Sequence, residues 1–113
     1  MQSIRTKDDQ EIKIPVTIFN DLHFKESMLF SSFVWEKVIS FMKYYNGLTK
    51  KSKDKLHNLT FLDTNNSMLT WYNKYTEMSL EELCHVIKAS EELRLKNLNL
   101  ICCKAMMKFY NTS

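Results

Sequence analysis

The chain has a single glycine and a single proline among its 113 residues. An all-β sandwich takes its tight turns from many such residues, so their scarcity argues for helices. One glycine also excludes a glycine-rich loop for cradling phosphates. No apolar stretch approaches the ~20 residues of a membrane span, and the opening Met1-Gln2-Ser3-Ile4-Arg5 continues charged instead of running into the apolar core of a secretion signal. The three cysteines, Cys84, Cys102 and Cys103, leave one over from any internal pairing, and none is spaced like the ligand pair of a zinc knuckle. All three fall within apolar helical patterns, which predicts reduced, buried thiols in a cytoplasmic or nuclear protein.

A large excess of either charge is also lacking. The formal net charge is +3, and there is none of the concentrated basic composition of a nucleic-acid-binding domain, so neither nucleic acid nor membrane is an expected partner. The one basic cluster, Lys50, Lys51, Lys53 and Lys55 interrupted by Asp54, reads as a solvated surface loop, with contact to a phosphate or an acidic partner as the alternative.

Catalytic groupings are equally sparse. Cys84 and His85 are neighbours, which on a helix separates their side chains by about 100° and prevents a nucleophile–base pair. His23 and His57 have no acid or thiol at useful spacing. The sequence therefore predicts no catalytic residue, no metal site and no cofactor.

What remains has the composition of an ordinary globular chain, 44% hydrophobic and 26% charged, of a length for one domain over residues 1–113. Ser3–Lys7 and Glu11–Ile14 read as a hairpin turning at Asp8-Asp9-Gln10, with Ile4, Ile12 and Ile14 inward. Val16–Asn20 and Phe24–Phe30 read as short helical turns. Phe33–Tyr45 is an amphipathic helix, with Val34, Val38, Phe41 and Tyr45 at helical spacing and Asn46-Gly47 as its stop. Residues 48–69 are polar and basic and predict a long loop, in which only Leu59–Leu62 has strand character. Trp71 and Tyr75 stand four residues apart, so on a helical turn both rings share a side. Ser79 followed by Glu82 is a capping box that opens a helix carrying Leu80, Leu83, Cys84, Ile87 and Leu93. Asn97 is predicted to cap a last helix to about Phe109.

That last helix is apolar on two sides. Leu98, Ile101, Cys102, Ala105, Met106 and Phe109 form one stripe, and Leu100, Cys103, Met107 and Tyr110 form another. One stripe packs on the domain; the other predicts a partner. The residues expected to bind it are Leu98, Leu100, Ile101, Cys103, Met107 and Tyr110.

From Trp71 onward the pattern resembles the Skp family of ubiquitin-ligase adaptors, and more distantly elongin C. Leu83, Ile87, Ala89, Leu93, Lys96, Leu98, Cys103 and Lys104 align without a gap to the family's run of leucines, an alanine and a lysine before a helix containing Cys-Lys. Ser3-Ile4-Arg5, Ser27-Met28-Leu29 and Glu36-Lys37-Val38-Ile39 are similar to its N-terminal half. The resemblance implies a mainly helical α+β fold of BTB/POZ type, a small sheet packed on a cluster of about five or six helices. It also implies a non-catalytic adaptor joining an F-box-type receptor to a cullin-based ligase or a related complex.

Three departures accompany it. The acidic loop and short strand of the family are missing before Phe33. Glu91 and Glu92 stand at the position of an Asn-Tyr pair at the cullin interface, and a carboxylate in place of an aromatic anchor weighs against cullin binding. The residues after Tyr110 do not continue into the two helices that grip the F-box. The alternative expectation is a BTB-like scaffold that dimerises through the same apolar stripe without a cullin partner.

Overall fold

The computed structural model describes residues 2–22, 30–63 and 66–111. The order is a hairpin, β1 (Gln2–Arg5) and β2 (Glu11–Ile14), followed by α1 (Val16–Asp21), α2 (Ser32–Asn46), α3 (Lys50–Asn58), a 3-10 turn (Thr60–Asp63), α4 (Ser67–Tyr75), α5 (Leu80–Glu92) and α6 (Lys96–Asn111). Among the described residues the protein is thus mainly helical, with six α-helices and one two-stranded antiparallel sheet.

A lone hairpin is marginal in water and persists only when one face packs and its ends are tied. Register Ile4↔Ile12 puts those two side chains on one face with Ile14, which is fully buried, while Ile4 and Ile12 are half-buried against the core. The turn is closed by Asp9 N–H donating to Thr6 O at 3.0 Å and Thr6 N–H donating to Gln10 O at 2.8 Å. Asp9 takes a positive φ of 60° where many hairpins use glycine, a conformation that Asp tolerates better than most residues.

The hairpin tip is clasped to the start of α2 through Asp8. Its Oδ1 accepts from Thr6 Oγ1 at 2.5 Å and from Ser32 N–H at 2.8 Å, and its Oδ2 accepts from Ser32 Oγ at 2.7 Å. Ser31 caps the same helix by accepting from Val34 N–H, and a carboxylate beside that terminus meets the positive end of the helix dipole. These hydroxyl and amide donors, Thr6 first, hold the Asp8 carboxyl at about 2, below its ordinary 3.8.

Because the folded value is the lower one, the stabilisation is complete above pH 3.8 and is lost as pH falls toward 2. Asp8→Asn is therefore expected to lower the urea midpoint at pH 7, with the gap from wild type closing as the pH is brought toward 2.

The core is built around α2, α5 and α6. Val34, Trp35, Val38, Phe41 and Met42 of α2 form one buried cluster with Leu83, Val86 and Ala89 of α5 and Leu98, Ile101 and Cys102 of α6. The capping box at Ser79 is present, with Ser79 Oγ accepting from Glu82 N–H at 3.2 Å and Glu82 Oε1 accepting from Ser79 N–H at 2.9 Å. Such a cap contributes about 1 kcal/mol.

Helix α4 is locked to α2 by a reciprocal pair. Lys37 Nζ donates to Tyr75 O at 2.8 Å, and Tyr75 Oη donates to Lys37 O at 2.5 Å. Burial raises the Tyr75 phenol far above its ordinary value and lowers the Lys37 ammonium. As the spacing predicted, Trp71 and Tyr75 lie side by side, with ring centroids 4.9 Å apart, and Trp71 stacks on Tyr44 at 3.9 Å.

Four expectations need correction. Residues 48–69 are not a loop: Lys50–Asn58 is a helix, Thr60–Asp63 a 3-10 turn with no strand, and α4 already begins at Ser67. Helix α3 escaped the periodicity because it buries one residue, Leu56. It is held instead by the Thr49 cap accepting from Ser52 N–H at 3.2 Å and by Lys53, whose ammonium lies 4.9 Å from the Tyr45 ring centre. The Lys50–Lys55 cluster is accordingly on a helix. In addition, α6 begins at Lys96, so Asn97 lies inside its first turn and is not its cap. Of the helical turn expected at Phe24–Phe30, residues 24–29 lie outside the described residues, and Phe30 is not helical.

Candidate functional site

Helix α6 separates into the two predicted sides. Leu98, Ile101, Cys102 and Ala105 are buried against the domain. At the opposite side Leu100 is 38% exposed, Met107 48% and Tyr110 71%, and Cys103 is exposed between them. Leu98 and Ile101 are therefore removed from the set expected to touch a partner. Each lies on the core side of the helix, and no neighbouring surface can reach it. Phe109 moves the other way. It shares a stripe with the buried residues, yet α6 outruns the domain in its last turn and leaves this ring 36% exposed.

Glu91 and Glu92 are both exposed near the end of α5. The turn that follows is a Schellman motif: Leu95 N–H donates to Ser90 O at 2.8 Å and Arg94 N–H to Glu91 O at 3.2 Å. Its left-handed position is normally glycine and is occupied here by Arg94, with φ 58°. A side chain in that conformation costs about 1 kcal/mol relative to glycine.

Two concavities open beside this turn. One, of about 850 Å³, runs along the α5–α6 junction past Glu91, Arg94, Lys96, Leu100 and Cys103. Its polar floor is already engaged: Asn99 Nδ2 donates to Ser90 Oγ at 3.1 Å, Ser90 Oγ donates to Ile87 O at 2.6 Å, and Cys103 Sγ donates to Asn99 Oδ1 at 3.5 Å. The other, of about 430 Å³, lies between α2, α3 and the start of α6. There His57 Nε2 stands 3.0 Å from Tyr45 Oη and 3.2 Å from Asn97 Nδ2, so that one ring nitrogen of α3 lies within hydrogen-bond reach of both α2 and α6. Neither neighbour is an acid or a thiol, and both are distant from His57 in the chain.

The thiols divide likewise. Cys102 is buried, and its surroundings raise its pKa to about 12, first through loss of water and then through Cys103, so it is an inert core residue. Cys84 and Cys103 are exposed, contrary to the expectation that all three would be buried. Partial burial and, secondarily, the Glu91 charge raise the Cys103 thiol. The exposed pair lie on the outward sides of α5 and α6, at apolar-looking positions that face away from the core.

Among the described residues no three His, Cys, Asp or Glu side chains gather as a metal would require, and no helix is long and apolar enough to cross a membrane. No family model, curated protein or solved structure matches the chain.

Proposed function

We propose that this chain is a non-catalytic protein–protein adaptor of Skp-like type, its helices and hairpin a divergent BTB/POZ-like arrangement. On this reading the outer face of α6, Leu100, Cys103, Met107 and Tyr110, receives a helical segment of an F-box-type partner. The observation that carries it is the exposure of Leu100, Met107, Phe109 and Tyr110 along a helix whose other side is buried in the core. Water-exposed apolar side chains continuous along two turns or more are a liability in a monomer and are relieved by a docked partner.

Glu91 and Glu92 leave exposed carboxylates where a cullin contact in the resembling family is anchored by an aromatic ring. Those carboxylates weigh against a cullin contact at this position. Self-association through α6 is the weaker reading, because the helix carries Lys96, Lys104 and Lys108 and no carboxylate, and pairing two copies sets like charges together.

The test is a binding titration of the whole chain with an F-box-helix peptide and, separately, with a cullin N-terminal domain. Capture of the peptide without the cullin domain is the expected result. Capture of neither would remove the Skp-like assignment.

A further inference from the structure

The charge around the α6 face narrows the chemistry of what binds there, on the reading that this face binds a partner at all. Arg94 occupies a backbone position that favours glycine, and its exposed side chain faces both concavities. The ion pairs among the described residues are Arg5–Asp9 and Glu81–His85, so neither Arg94 nor Lys96 is in an ion pair within the fold, although Asp21 lines the smaller cavity with both.

Lys96 begins the stripe that continues through Leu100, Cys103, Met107 and Tyr110 at four- and three-residue steps, while Lys104 and Lys108 flank it. The single carboxylate lining the α5–α6 groove is Glu91, against two cations. Asn99, Ser90 and Cys103 are committed to one another at the floor, which leaves Arg94 and Lys96 as the free charged donors at the rim.

We infer that the α6 face takes an acidic amphipathic helix from another protein, with one carboxylate held by Arg94 and Lys96 beside its apolar contact on Leu100. A guanidinium offers a planar, two-donor fit to a carboxylate, and a lysine supplies a second charge at longer reach. An arginine at a backbone position that favours glycine, with no ion-pair partner inside the fold, is accounted for by a partner outside it.

The test selects displayed helical peptides with a fixed apolar stripe and randomised flanking positions against the whole chain. Asp or Glu should be enriched at one flanking site. A selected peptide should bind about tenfold more weakly to Arg94→Gly, or when its own acid is changed to Gln. Arg94→Gly should at the same time melt about 4 °C higher, since glycine suits the turn, so the lost affinity would not reflect a damaged fold.

Binders that show no acidic preference and are indifferent to Arg94→Gly overturn this inference and leave the α6 face standing. Binders that ignore Leu100→Asp, or no binders at all, remove the face itself. Co-sedimentation with phosphatidylserine vesicles that Arg94→Gly abolishes, without any peptide selected, overturns it in favour of an anionic lipid surface.

Discussion

Leu98→Ala and Ile101→Ala are each expected to destabilise the protein by about 2–5 kcal/mol, whereas Leu100→Ala changes stability by less than about 1 kcal/mol. These apolar residues lie within one turn of the same helix. Leu98 and Ile101 are fully buried where α6 meets α5, and Leu100 is 38% exposed. Truncating a buried side chain loses its transfer energy and leaves a cavity that close-packed neighbours only partly fill. Truncating an exposed one loses little. Against a total stability of about 5–15 kcal/mol for a domain of this kind, the core variants lower the melting temperature by about 10 °C or more. Thermal melts of the three variants check this. Equal losses at Leu98 and Leu100 would mean that α6 does not present the two sides described.

The second large effect is on binding. Leu100→Asp combined with Met107→Lys is expected to weaken capture of an F-box-type helical peptide by about a hundredfold or more, with the circular dichroism spectrum and melting profile close to wild type. Central apolar anchors carry most of the energy of such contacts, and introducing a charge adds the cost of stripping its water on docking. Met107 is 48% exposed, so the folded chain alone tolerates a charge there. Undiminished capture by this folded variant would move the binding face elsewhere.

The sequence was most legible where apolar spacing and capping chemistry agreed. Helix α5 begins at the Ser79–Glu82 box, and α2 differs from its predicted range by one residue at each end, because in both a wide apolar stripe follows a clear start. The split of α6 into two sides was also readable. Which members of each side were accessible was not: Leu98 and Ile101 were placed with the partner contacts, and only packing against α5 shows them to be core.

Helix α3 escapes the sequence pattern because a helix needs few buried residues when a cap and long-range contacts within the chain hold it, here Leu56, Thr49 and His57. Arg94 was missed for a related reason. With a single glycine in the chain, left-handed turns fall on Asp9, Leu59 and Arg94, and nothing in a run such as Leu93-Arg94-Leu95 marks its middle residue as a helix stop.

The central claim is that the outer face of α6 is where this protein meets its partner, and an amide-resolved NMR titration of the whole chain with an F-box-helix peptide tests it most directly. The account predicts that the resonances of Leu100, Cys103, Met107 and Tyr110 shift together with Arg94 and Lys96, while the hairpin at Ser3–Ile14 stays unmoved. Saturable shifts confined to the hairpin or to α3, or a spectrum unchanged at millimolar peptide, would contradict it.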